Sequence, residues 1–354
     1  MRILLIKPGA IGDLLQLSPV IRALKERMPQ ARISLLVGSA ASVDLFRYNP
    51  LVDEILIFDK RGVHRSWRAF ARLWGELRQR RFDLVVNFQR SNLKAWLLAT
   101  AALPCRVLVY HRAKNRIVHA VENHLETVAE LGIDPRAADH RLELHTGEAD
   151  ERWADELIER ESLTGRQLVA LNLGASHPVN RWPVEHFAAL AGRLNRELSS
   201  AVLLVGGGQD RELADAVAAR VAAPVIDLVG RTSLLQLGAV LRRSAVLVSG
   251  DTGPMHVATA VGTRVIALFG AADPARTGPV GEGHLVLCAR GVGCVPCRSR
   301  KCTNTRYLQC MEEITVDQVF DAVSHMLAAG SFGGSGGCGS AGENCVGSDK
   351  TSML

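Results

Sequence analysis

The strongest constraint on this chain is an alternation that runs almost from end to end. A short apolar run is followed by a loop, and the loop by a longer segment with helical apolar spacing. Apolar runs bounded by turn residues and separated by helical segments read as parallel strands joined by crossover helices. Strands are expected over Arg2–Lys7, Ile33–Val37, Glu54–Phe58, Asp83–Asn87 and Arg106–Tyr110. Helices are expected over Asp13–Met28, Ser66–Arg80, Leu93–Ala102 and Val121–Gly132. After a stretch of weak periodicity from Ile133 to Gly147, a helix is expected over Ala149–Arg160 and the alternation restarts. Strands follow over Leu168–Leu173, Ala201–Val205, Val225–Leu228, Ala245–Ser249 and Arg264–Phe269. Helices follow over Val184–Leu198, Arg211–Val221, Leu234–Arg243, Pro254–Val261 and Val316–Leu327. With 354 residues, the chain suits two α/β domains rather than one. The expected division is 1–145, 146–330 and a glycine-rich, unstructured tail over 331–354.

Composition narrows the class. Apolar residues make up 47% and charged residues 22%, as in a globular protein. No apolar run reaches the roughly 18–20 residues that span a bilayer, and no secretory leader is legible at MRILLIKPGA. The expected compartment is the cytoplasm. Charge is unevenly placed. Between Lys60 and Arg116 stand fourteen Lys and Arg against two acids, Glu76 and Asp83, so this window carries +12 of a net +6. Such a surface faces something anionic: a phosphorylated substrate, a membrane or a nucleic acid. No RRM, KH or helix-turn-helix pattern accompanies it, which disfavours nucleic acid.

Four strand-end loops carry the chemistry. Lys7-Pro-Gly-Ala-Ile-Gly-Asp13 joins the first strand to the first helix, at the sheet edge where open α/β folds bind ligands. Its Gly9-x-x-Gly12 spacing is not that of a dinucleotide site. Asp13 is either a plain helix cap or a carboxylate placed to take a proton from an attacking hydroxyl. Ser249-Gly-Asp251-Thr252-Gly253-Pro-Met255-His256 opens a helix whose free N–H groups and positive end suit a diphosphate. The loop Leu173–Glu185 offers Arg181 as a fixed cation. Gly206-Gly-Gly-Gln-Asp210 lets a ligand approach the backbone, with Asp210 or Gln209 to bond a ribose or base. Together these loops point to a nucleoside diphosphate.

Four cysteines fall in the pattern Cys294-x2-Cys297-x4-Cys302-x7-Cys310, a spacing compatible with structural zinc or iron. Four reduced thiols in an irregular loop read equally well. The segment Ser66–Arg80 places Trp67, Phe70, Trp74 and Leu77 at helical spacing, bordered by arginines. Burial of that stripe against the first sheet is expected, with Arg61, Arg65, Arg68, Lys94, Arg112 and Lys114 left for a phosphorylated acceptor or an anionic membrane surface.

Over roughly Met1–Leu327 the chain resembles the heptosyltransferases that build the lipopolysaccharide inner core, glycosyltransferase family 9. The segments that carry the resemblance are RILLIKPGAIGDLLQLSPVIRALK, RWPVEHFAALA, SGDTGPMHVATAVGTRVIALFGAADPARTGPVG and CVPCRSRKC…CM. The resemblance implies a GT-B fold, two facing Rossmann-like domains with a cleft between them. It implies an acceptor on the first domain and ADP-heptose on the second. It implies inversion at the anomeric carbon with no cofactor required for catalysis. Asp13 matches the family's general base. Asp251, Thr252, Gly253, Met255 and His256 fall in its donor motif, and Asp210 near its nucleoside contact. Where the family commonly has Lys-Arg-Trp-Pro, this chain has Asn180-Arg181-Trp182-Pro183. The expected function is transfer of heptose to a hydroxyl of a Kdo–lipid A type glycolipid by a cytoplasmic enzyme working peripherally at the membrane. The alternatives are a same-fold transferase acting on a protein or small natural product, and a basic nucleic-acid-binding or non-catalytic protein.

Overall fold

Eleven short strands fall into two parallel sheets in the computed structural model, which describes residues 1–60, 62–89, 93–111, 113, 116–289 and 291–330. The expected tail, with Cys338 and Cys345, lies outside the described residues, as do Arg61, Arg112 and Lys114. The first sheet comprises β1 (Arg2–Ile6), β2 (Arg32–Val37), β3 (Glu54–Ile57), β4 (Leu84–Asn87) and β5 (Arg106–Val109) in the order β3-β2-β1-β4-β5. The second comprises β6 (Leu168–Asn172), β7 (Ala201–Val205), β8 (Ile226–Asp227), β9 (Val246–Gly250), β10 (Arg264–Phe269) and β11 (Leu285–Cys288) in the order β11-β10-β9-β6-β7-β8. The inner strands are apolar except at their carboxyl ends and are buried on both faces, as parallel strands between helical layers must be.

Each sheet reverses direction once. In the first, the chain steps outward from β1 to β3 and then returns to β4, which pairs with β1 from Ile3↔Leu84 to Ile6↔Asn87. In the second, β9 returns beside β6, with Asn172 opposite Ser249. The loops at these reversals leave a gap outside the carboxyl ends of the strands, where open α/β sheets hold ligands.

The expected first helix is in fact two, Ile11–Leu15 and Ser18–Arg27. Pro19 stands in the first turn of the second, where its missing N–H costs nothing, and there the helix restarts. The expected Val121–Gly132 helix ends at Glu126 and continues as a 3-10 turn over Ala129–Leu131, closed by Gly132 at φ +80°. The helix Trp67–Gln79 buries Phe70, Leu73 and Leu77 against β1 and β4 side chains, so most of the apolar stripe serves the core. Trp74 is half-buried and donates to Thr100 Oγ1 at 3.2 Å, whereas Trp67 remains 69% exposed.

The halves meet on their first turns. Helix Ile11–Leu15 packs on helix Gly253–Ala260, and one continuous apolar cluster runs through both, including Leu14, Leu17, Met255 and Val257. A methyl built on Gly12 would overlap the His256 ring, so this contact requires glycine. His119 Nδ1 accepts from Val121 N–H, which leaves Nε2 protonated to donate to Gly278 O across the junction at 3.2 Å. Among the described residues no helix is long and apolar enough to cross a membrane.

Candidate functional site

A cleft of about 880 Å³ opens between the two sheets, lined by strand-end loops of both. The first half contributes the Pro8–Gly12 loop, Gly38 and Ser39 after β2, Lys60 after β3 and Gln89 after β4. The second contributes Asn172, Arg181, Gln209, Asp210, Thr252 and Gly253 among others. Both sheet reversals therefore open on one space.

On the second half the polar groups are mutually fixed. Asn172 ends β6, and its Nδ2 donates within 3.0 Å to Gly174 O, Ser249 Oγ and Thr252 Oγ1. Ser249 Oγ and Thr252 Oγ1 lie 3.1 Å apart. Thr252 is the N-cap residue of helix Gly253–Ala260, yet its side chain makes no capping bond because Asn172 and Ser249 hold it. With Pro254 lacking an N–H, the free donors of the first turn are left to an anion. Arg181 donates through Nε and Nη2 to Ala175 O, and among the described residues no carboxylate pairs with it. Its charge is thus pinned over the cleft and not neutralised. Asp210 is buried. Its Oδ2 accepts from Gly207 N–H at 3.1 Å and Gln209 Nε2 at 3.0 Å, while its Oδ1 has no partner. A methyl on Gly174 would overlap that carboxylate, so glycine makes room for it. An unpartnered buried acceptor calls for a hydroxyl donor.

Three residues of the expected donor motif, Asp251, Met255 and His256, do not line the cleft. Met255 is fully buried in the shared core, and His256 packs on Gly12. Burial brings the His256 pKa down to about 4, so the imidazole is neutral and its Nδ1 is unpartnered. As placed, it braces the two halves. Asp251 is close to Asp13 across the junction. Burial first, and then the Asp13 charge, raise its pKa to about 6, against a lowering bond from Thr277.

On the first half the site is more open. Asp13 is 52% exposed beside the cleft-lining Gly12, and its Oδ2 accepts from Ala10 N–H at 3.3 Å. Lys7 reaches the same oxygen at 3.8 Å from a buried position. Burial lowers the Lys7 pKa, and the Asp13 charge opposes that shift. Neither Lys7 nor Asn172 is singled out by the sequence. Lys7 reads there as the end of a strand, and Asn172 as one polar residue in an apolar run.

The basic window is thinner than its count. Arg80 pairs with Glu54, Arg106 with Glu130 and Arg116 with Glu126, all acids from outside the window. Arg78 lies over the Trp74 ring at 5.4 Å. Arg65 and Arg68 are exposed and, among the described residues, carry no ion pair. Lys94 starts the helix Leu93–Thr100, and its side chain lies outside the description.

The four cysteines of the cluster line one small cavity of about 30 Å³ beside Val179 and Leu308. Leu308 N–H donates to Cys302 Sγ at 3.3 Å, and burial followed by the neighbouring thiols raises the Cys310 pKa. Among the described residues, no group of three or more cysteine, histidine or carboxylate side chains is placed to hold a metal ion. As placed, the thiols do not fit a closed tetrahedral centre.

The family described as glycosyltransferase family 9 (heptosyltransferase) matches residues 70–308 of the chain. Lipooligosaccharide heptosyltransferase 2 of Campylobacter jejuni subsp. jejuni serotype O:6 is 24% identical over 332 residues, 92% of this chain and 99% of that protein. Among solved structures, a family 9 glycosyl transferase from Veillonella parvula superposes with a TM-score of 0.82 at 24% identity, over 93% of this chain and 97% of that one. The ADP-heptose LPS heptosyltransferase II of E. coli superposes with a TM-score of 0.77 at 24% identity, over 94% and 100%. The expected GT-B architecture is the architecture found.

Proposed function

Since the chain belongs to glycosyltransferase family 9 (heptosyltransferase), it is a glycosyltransferase, and we propose that it moves heptose from ADP-heptose to a hydroxyl of the lipopolysaccharide inner core. The observation that carries this reading is the pairing of unlike loops across one cleft. One side offers uncapped helix N–H groups, an unpaired arginine and a buried carboxylate oxygen without a donor. The other offers an accessible aspartate at the end of the first strand loop.

The donor's diphosphate takes the first turn of helix Gly253–Ala260 and Arg181, and Asp210 Oδ1 accepts from a ribose hydroxyl. The acceptor hydroxyl gives its proton to Asp13 as its oxygen attacks the anomeric carbon. The bond from that carbon to the diphosphate oxygen breaks, and its electron pair leaves with ADP. Attack from the face opposite the diphosphate inverts the carbon. Charge grows on the leaving oxygen, where fixed donors stabilise it without reorganising. Asp13, half in solvent and held at Oδ2, orients the hydroxyl as well as taking its proton. No step is routed through the cysteine cavity.

For the acceptor, a Kdo–lipid A type glycolipid fits the exposed Arg65 and Arg68, with Arg61, Lys94 and Arg112 in the same basic stretch. Trp67 stands beside them as an exposed apolar ring. That combination suits a peripheral position on the anionic cytoplasmic face of a membrane. The test is direct. Protein supplied with ADP-heptose and Kdo–lipid A should release ADP and raise the acceptor mass by one heptose. Turnover of a protein or small-molecule acceptor instead, with none of the glycolipid, would overturn the acceptor. Absence of ADP release with every acceptor would overturn the activity.

A further inference from the structure

We propose that Lys7 is the positioning residue of the base: its buried ammonium holds Asp13 by one carboxylate oxygen and leaves the other for the acceptor's proton. This rests on the reading of Asp13 given above. Lys7 follows β1 directly, and its backbone N–H is fixed to Leu36 O at 3.1 Å. The stem is therefore anchored where β1 and β2 meet, and only the head can adapt. That head is 8% exposed and lies 3.8 Å from Asp13 Oδ2.

A buried ammonium needs a counter-charge. The groups around Lys7 leave one. His124, on helix Ala120–Glu126, is buried and held neutral, its pKa brought down to about 3 by burial and then by Lys7 itself. Tyr110, after β5, presents its ring 6.0 Å from Nζ. His119 precedes the same helix, and burial pushes its pKa down as well. Asn87, paired with Ile6 next to Lys7, is buried and uncharged. Asp13 is the only acid paired with Lys7 among the described residues.

The geometry gives the pair a direction. Ala10 N–H and Lys7 both address Oδ2. The carboxylate is tethered on one edge, and Oδ1 is the edge left to a hydroxyl. Without Lys7, the Ala10 N–H would be the one tether left on Oδ2, and the carboxylate would turn more freely.

The experiment compares Lys7→Met, Lys7→Gln, Lys7→Arg and Asp13→Asn, with ADP binding and thermal melting as controls for the fold. Lys7→Met and Lys7→Gln should lower kcat about tenfold or more, a typical scale for acid–base support. Both KM values should stay within about twofold. Lys7→Arg should recover most of the rate. In Asp13→Asn, adding Lys7→Met should cost nothing more. Wild-type kcat in Lys7→Met and Lys7→Gln, with Asp13→Asn crippled, would overturn the role of Lys7 alone. A fully active Asp13→Asn would overturn the base itself.

Discussion

The two sides of the cleft are built on opposite principles. Around Asn172 and Thr252, neutral polar atoms are tied to one another, beside uncapped helix N–H groups and one held, unpaired arginine. Around Asp13 the carboxylate is half in solvent beside a buried lysine, and elsewhere on the same half Arg65 and Arg68 are exposed without an ion pair among the described residues. The first arrangement suits a ligand of constant shape, because its ordering cost is met on folding. The second suits a large, charged ligand that arrives from a surface and whose position is set by charge more than by fit.

The sharpest way to break this contrast is at the charged side. Asp13→Asn should lower kcat by at least about 100-fold while ADP affinity stays normal, measured by steady-state transfer and by ADP titration. The neutral side should fail differently. Asn172→Ala frees Thr252 and Ser249 together, and Thr252→Val removes one of the pinned oxygens. Each should weaken ADP binding by about tenfold, as the loss of one or two buried hydrogen bonds does, with acceptor KM nearly unchanged. Normal ADP binding in both variants would place the diphosphate elsewhere.

Smaller effects sharpen the comparison. Reversing Arg65 and Arg68 to Glu should raise acceptor KM several-fold and abolish binding to anionic vesicles. The wild-type attraction should fade with salt, over a Debye length of about 8–10 Å. Donor affinity should not respond. The fourth test uses pH. Asp251 titrates near 6 when folded, well above an unfolded aspartate. The native state therefore holds the extra proton between about pH 4 and 6, and the carboxyl's contribution to stability is lost as pH rises through that window. Asp251→Asn should raise Tm at pH 8 and leave it unchanged at pH 4. His256 and His124 act in the other direction: their lowered values cost stability as pH falls below about 6.5. Least affected should be the cysteine cavity. Four titratable thiols with no stoichiometric metal, by thiol titration and elemental analysis, would leave a thiol-lined cavity and nothing more. About one ion per chain would mean that the sulfur atoms draw together around it.

Much of the fold was legible because parallel strands announce themselves as apolar runs, and β1, β2, β4, β6, β7 and β10 stand where those runs do. The edge strand β11 was not, since Leu285–Cys288 is half-buried and short. The loops of the site were legible for a related reason: glycine, aspartate and threonine after a strand have few structural uses. What the sequence could not supply is which side of each loop faces the cleft. His256 and Thr252 are four residues apart in one motif, yet one braces the core and the other lines the cleft. Lys7 and Asn172 were hidden by their neighbours, each a single polar residue at the end of an apolar strand. The pairing of β6 with β9 sets Asn172 beside Ser249, and the fold of the loop after β1 brings Lys7 to Asp13.

The Gly12–His256 contact is a mechanical stop between the two halves. It sits at the base of the cleft and leaves no room for another atom. A single methyl there would act as a doorstop between the two halves. Reaction needs the attacking oxygen and the anomeric carbon within roughly 3–3.5 Å, and a wedge at the base displaces one substrate relative to the other. Gly12→Ala should therefore yield a protein that loads both substrates and stalls before transfer, which is the state a trapped ternary complex requires.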